Sequence, residues 1–92
     1  MNNVEGIRTN FPERVAAELA RARQKHSDMN SAHEAYAVIL EELDEFWEAV
    51  KTDDQKFSDG QSRMVDELVQ IAAMTQRAAE DVFPNCLSWM KS

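Results

Sequence analysis

The sequence is poor in the residues that mark turn-rich β-proteins, because its 92 residues include only two glycines and two prolines. Its single cysteine, Cys86, excludes an internal disulfide, and no zinc-site spacing of Cys and His is present. No apolar run approaches the roughly 18 residues of a membrane span, and the first residues lack the charged-then-apolar order of a signal peptide. We therefore expect a cytoplasmic protein that does not associate with membranes.

Basic residues are also scarce, since ten Lys and Arg stand against 17 Asp and Glu and give a formal net charge of -7. This charge disfavours binding to a DNA or RNA backbone. The chain is 43% hydrophobic and 29% charged, which is the composition of a globular domain. The length predicts one domain over residues 1–92, with a core that is thin unless a partner covers more of it.

The hydrophobic pattern is helical, and no segment alternates with a period of two. The predicted helices cover about 11–26, 31–52 and 61–82, with a short fourth over about 86–91, while residues 1–9 are expected to be loose. Asn10 is the predicted N-cap of the first helix, Ser31 and Glu34 form a capping box on the second, and Ser58 or Asp59 caps the third. Helices joined by short loops predict an all-α, antiparallel bundle.

Seven of the 17 acids lie between residues 41 and 54. At about 100° per residue, Glu42 falls inside the apolar stripe of the second helix and Glu45 on its border. Glu67 likewise falls inside the apolar stripe of the third helix. Arg77 and Asp81 are predicted to lie on the solvent side of that helix.

A buried carboxylate without a partner costs several kcal/mol or takes up a proton. The second and third helices offer no base at a predicted core position. Acids that converge without bases indicate a divalent cation, and oxygen ligands favour Mg²⁺ or Mn²⁺. The alternative is structural ion pairing with bases of the first helix, of which there are four: Arg14, Arg21, Arg23 and Lys25.

Residues 41–45, Glu-Glu-Leu-Asp-Glu, match the E-E-x-x-E motif, and residues 67–70, Glu-Leu-Val-Gln, stand where an E-x-x-D motif would follow. On these two motifs, residues 15–82 resemble the MazG-like, all-α nucleoside triphosphate pyrophosphohydrolases. The resemblance implies a helical bundle that forms a homodimer or homotetramer. It also implies Mg²⁺-dependent cleavage of a nucleoside triphosphate between the α and β phosphates, which releases a monophosphate and pyrophosphate.

The same resemblance implies roles for individual residues. Glu42, Glu45 and Glu67 would be metal ligands, and Gln70 would occupy the position where the family has an aspartate. Glu41, or another acid of the cluster such as Glu45, would orient or deprotonate the attacking water. Basic residues of the first helix or Lys51 would hold the outgoing phosphates.

Gln70 departs from the family pattern, because an amide oxygen holds Mg²⁺ less strongly than a carboxylate. This departure favours a second hypothesis, in which the protein is a non-catalytic helical interaction module with structural acids. The aromatic residues Tyr36, Phe46 and Trp47 are predicted to lie in the core rather than to stack on a base.

Overall fold

The described part of the protein is built from helices. A computed structural model describes residues 3–53 and 58–87, in which the helices are α1 (Asn3–Lys25), α2 (Ala32–Asp53), α3 (Ser58–Val82) and the short α4 (Pro84–Leu87). No strand occurs among these residues, so the all-α prediction is confirmed. A search of the same residues finds no helix with the length and apolar character that a membrane crossing requires.

Two helices begin earlier than the sequence pattern predicts. α1 begins at Asn3, so Asn10 lies within it rather than capping it. The helix continues through Pro12, although an interior proline removes one backbone hydrogen bond and clashes with the carbonyl one turn back. α3 begins at Ser58, so Ser58 and Asp59 belong to its first turn, where acidic and hydroxyl side chains are well tolerated.

The predicted last helix also begins earlier, since α4 starts at Pro84 rather than at Cys86. Phe83 separates α3 from α4, as expected for the residue before a proline. The remainder of that prediction, residues 88–91, lies outside the described residues. The predicted loop segment 54–57 lies outside them as well.

The connection between α1 and α2 is fixed by capping. The Ser31 hydroxyl accepts a hydrogen bond from the Glu34 N–H at 3.1 Å, as the capping box predicts. The Glu34 carboxylate reaches one residue further back than expected and accepts the Asn30 N–H at 2.7 Å. These bonds occupy two backbone donors at the start of α2, so the helix begins where the sequence indicates.

α3 is the central helix, because both α1 and α2 pack against it. Arg14 of α1 pairs with Asp66 near the beginning of α3, and Arg23 pairs with Asp81 near its end, so α1 and α3 run in the same direction. The side chains of Arg63 and Thr52 are hydrogen-bonded at 3.5 Å, which places the start of α3 beside the end of α2. The chain therefore runs up, down and up, with antiparallel packing between α2 and α3.

The core lies along both sides of α3. It contains small and medium apolar residues from all three long helices and the α1–α2 loop: Val15, Ala22, Met29, Ala35, Val69, Ala73, Met74 and Ala78. Several expectations about burial were wrong. Arg77 is only 5% exposed and the Asp81 side chain only 3% exposed, although the helical pattern predicts both on the solvent side of α3. Tyr36 and Trp47, predicted for the core, are 67% and 55% exposed.

Candidate metal centre and adjoining cleft

Three glutamates from two helices converge near the middle of the α2–α3 contact. One carboxylate oxygen from each of Glu42, Glu45 and Glu67 lies within 4.8 Å of the other two. Glu42 and Glu45 are three residues apart on α2 and therefore project from neighbouring positions of one helix face. Antiparallel packing brings Glu67 of α3 opposite them. We call these three residues the carboxylate cluster.

Within the carboxylate cluster, the charged form of Glu42 is strongly disfavoured by its surroundings. Its Oε1 atom is buried without a hydrogen-bond partner among the described residues. Burial, together with the charges of Glu45, Glu67, Glu41 and Glu18, raises the pKa of Glu42 to about 7. At neutral pH this carboxyl is therefore poised between its protonated and charged forms.

The charged form of Glu67 is also disfavoured by its surroundings. Burial, together with the charge and hydrogen bond of Glu45, raises the pKa of Glu67, while the nearby Arg63 guanidinium partly opposes the shift. The Glu67 Oε1 atom is also buried and has no hydrogen-bond partner within the described part of the chain. Each of the two helices thus contributes a buried carboxylate oxygen whose acceptor capacity is unused among the described residues.

Three arginines of α1 have other partners, which weakens the structural ion-pair interpretation. Arg14 pairs with Asp66, Arg21 pairs with Glu18 at 2.6 Å, and Arg23 pairs with Glu80 and Asp81 at 2.8 Å each. These arginines pair with acids outside the carboxylate cluster. The cluster supplies carboxylate oxygens, which suit a hard divalent cation.

A cleft of about 530 Å³ runs along the groove between α1 and α2, and Glu42 of the carboxylate cluster lines it. α3 forms its floor. The lining contains both acids and bases, together with smaller polar and apolar residues: Glu18, Arg21, Lys25, His26, Glu34, Glu41, Glu42, Arg77, Ala22, Ser27, Val38, Gln70 and Met74. The cleft therefore joins a candidate cation site to a space large enough for a small organic ligand.

The remaining predicted site residues lie around this junction. Glu41 is exposed and lines the cleft beside Glu42. Gln70 is partly buried, lines the same cleft and follows Glu67 by about one helical turn. Lys51 does not line this cleft. Its ammonium pairs with Glu48 at 3.0 Å and lies 5.5 Å from the centre of the Trp47 ring. The roles assigned to these residues stay predictions.

Arg77 is the residue of the cleft that sequence reasoning missed. It was placed in solvent because its angular position is opposite the apolar stripe that faces α2. That side of α3 is instead covered by α1, which makes it a second buried face. Two apolar residues on the same side of α3, Val69 and Ala73, could have indicated this second buried face from the sequence. In the structure they are 5% and 0% exposed.

Comparisons of the chain with protein-family models, with curated proteins and with solved structures found no match. The class of the candidate site therefore follows from its own geometry, which is that of a carboxylate cluster at the end of a polar cleft in a helical bundle.

Proposed function

We propose that this protein is a divalent-cation-dependent hydrolase that cleaves nucleoside triphosphates to monophosphates and pyrophosphate. The observation that carries the proposal is the convergence of Glu42, Glu45 and Glu67, with two buried carboxylate oxygens that lack partners among the described residues. Such an arrangement is costly unless a cation occupies it. The MazG-like motifs on α2 and α3 support the same assignment, because the cluster residues are the motif residues.

The residues of the site suit this chemistry. Glu42, Glu45 and Glu67 would hold Mg²⁺ or Mn²⁺, which supplies charge neutralisation of the phosphates and a bound water of lowered pKa. Glu41, exposed at the cleft beside Glu42, is placed to orient the attacking water and accept its proton. Water adds across the anhydride bond between the α and β phosphates, and the products are a nucleoside monophosphate and pyrophosphate. The setting we propose is cytoplasmic.

We further propose that the protein acts as a homodimer or homotetramer. Several large apolar side chains of α2 and α3 remain exposed in the single chain, namely Tyr36, Leu40, Leu43, Trp47 and Leu68. An exposed apolar row of this kind favours association. The same row supports the second candidate function, a non-catalytic helical interaction module, and the neutral side chain of Gln70 agrees with that alternative.

The two candidates are separated by a hydrolysis assay. Ribo- and deoxyribonucleoside triphosphates are incubated with the protein and Mg²⁺ or Mn²⁺, and monophosphate and pyrophosphate are quantified. We expect turnover that falls by about 100-fold or more in Glu42→Gln and Glu67→Gln, because each removes a charged ligand.

Asp44→Asn is the matched control, since it neutralises an exposed acid of α2 that is not part of the carboxylate cluster. It should hydrolyse like the parent protein. Turnover that survives both glutamate substitutions would refute the residue assignments. No turnover with any nucleotide, combined with stable self-association, would favour the interaction module.

A further inference from the structure

α2 carries a row of large apolar side chains on the side opposite the residues that line the cleft. Its members are spaced four, three and four residues apart and therefore follow one line along the helix: Tyr36, Leu40, Leu43 and Trp47. All four are exposed, and the least exposed of them, Leu40, is 39% exposed. Among the described helices, α3 alone packs against α2. We call these four residues the α2 row.

The α2 row is symmetric about its own centre, which lies between Glu41 and Glu42. From either end it reads aromatic, leucine, leucine, aromatic at the same spacing, because Tyr36 and Trp47 are its outer members. Reversal of the helix direction therefore returns the same pattern of side chains. A surface with this property is complementary to itself across a two-fold axis, which is the requirement for an isologous contact between identical chains.

The acids of α2 are unevenly distributed along the helix and favour one orientation of such a contact. Residues 32–40 contain one acid, Glu34, whereas residues 41–53 contain six acids and one base, Lys51. A parallel pair of α2 helices would place the two acid-rich parts side by side. An antiparallel pair places each acid-rich part beside the acid-poor part and the positive dipole end of the other helix, which is electrostatically more favourable.

We propose that α2 packs antiparallel against α2 of a second copy of the chain through the α2 row. Leu40 of each copy then lies opposite Leu43 of the other copy. Tyr36 of each copy lies opposite Trp47 of the other, so aromatic pairs flank the leucine pairs at the centre. The contact removes the exposed apolar row from water and leaves both clefts accessible, because the cleft-lining residues of α2 lie on its opposite side.

The inference rests on the homo-oligomer of the proposed function and adds the face, the direction and the register of the contact. It does not depend on the proposed hydrolysis. In this register Asp44, which flanks the row, comes beside Ala37 of the other copy rather than beside a second acid. Like charges are therefore kept apart at the edge of the contact.

The first test measures the mass of the full chain in solution by light scattering during size-exclusion chromatography. The parent protein should have at least twice the 10.5 kDa mass of one chain. Leu43→Glu should reduce that mass by half, because it brings two unpaired charges into the centre of the contact. Phe83→Glu is the matched control, since Phe83 is 47% exposed against 49% for Leu43 and lies outside α2. Its mass should equal that of the parent protein.

The second test measures the direction of the contact with a spin label at Thr52, which is exposed near the end of α2. Thr52→Cys in a Cys86→Ser background leaves one labelling site per chain, because Cys86 is the single cysteine. The register proposed here separates the two Thr52 positions by about 30 Å along the helices, whereas parallel packing places them about 10 Å apart. Pulsed electron spin resonance measures this distance without a change to the α2 row.

The outcomes separate the contact from the rest of the proposed function. A parent protein with the mass of one chain would overturn both the homo-oligomer and the α2 contact. An oligomer whose mass is unchanged by Leu43→Glu, in protein that circular dichroism shows to be helical, would overturn the α2 contact alone. A Thr52 distance near 10 Å would do the same. Neither measurement uses metal or nucleotide, so failure of the proposed hydrolysis is read separately from the assay above.

Discussion

Glu42 shows how one residue can connect folding to function. Its position in the packed face of α2 was visible in the sequence, because it falls within the apolar stripe. The motif resemblance grouped it with Glu45 and Glu67, whereas the charge of Glu18, which comes from α1, was not anticipated. Burial and four surrounding acids together make its charged form unfavourable in the folded protein without metal.

This environment predicts a pH dependence of stability in the absence of metal. The pKa of Glu42 is about 7 in the folded chain and near its usual value of 4.5 when unfolded, so the folded state binds the proton more tightly. The resulting penalty is absent below the unfolded pKa, grows as the pH rises towards the folded pKa and is complete above it. The free energy of unfolding attributable to Glu42 should fall by about 1–2 kcal/mol, a figure discounted for partial solvation.

Urea unfolding in a chelator at a series of pH values from about 5 to about 8 measures this dependence. Glu42→Gln should flatten the decline, while Asp44→Asn should retain it. Added Mg²⁺ should restore stability at the upper end of the range, because a ligand that binds only the folded state stabilises it. A decline of equal slope in the parent protein and Glu42→Gln would contradict the explanation.

At the scale of elements, α3 shows where prediction from hydrophobic periodicity succeeds and where it fails. Periodicity predicted the three long helices, and the Ser31 capping box located the start of α2. Periodicity failed for the starts of α1 and α3. It also failed for the burial of Arg77, because a helix packed on two sides has no single apolar stripe. Asp81 and Arg77 fill the second face together with Val69 and Ala73.

Asp81 connects α3 to α1 and to the α1–α2 loop at this second face. Burial opposes its charge, but the Met29 N–H at 2.9 Å and the Arg23 guanidinium at 2.8 Å hold the pKa of Asp81 below its usual range. Asp81→Asn should lower the free energy of unfolding by about 2 kcal/mol, because it removes the charged partner of the buried Arg77 and one of the partners of Arg23. Denaturant unfolding at neutral pH measures the loss.

The control for Asp81 is Asp28→Asn, since Asp28 contacts the same Arg23 at 3.5 Å from an exposed position. An exposed pair of this kind contributes little, so Asp28→Asn should leave the unfolding midpoint almost unchanged. Equal losses in the two variants would show that the Asp81 network does not hold the α1–α2 loop to α3.

At the scale of the whole molecule, the bundle separates two surfaces of different character. The groove between α1 and α2 is polar and contains the cleft, whereas the outer face of α2 exposes Leu40, Leu43 and Trp47. Of these residues, Trp47 was predicted to lie in the core. A hydrophobic pattern indicates which residues avoid water, but it does not indicate whether the same chain or another copy covers them.

The central claim is that the carboxylate cluster of Glu42, Glu45 and Glu67 binds a divalent cation. Calorimetric titration of Mn²⁺ into the parent protein and into Glu42→Gln, Glu67→Gln and Asp44→Asn tests it most directly. The account predicts saturable binding in the parent protein and in Asp44→Asn, with loss of binding in the two cluster variants. Absence of binding at millimolar Mn²⁺, or equal binding by all four proteins, would contradict it.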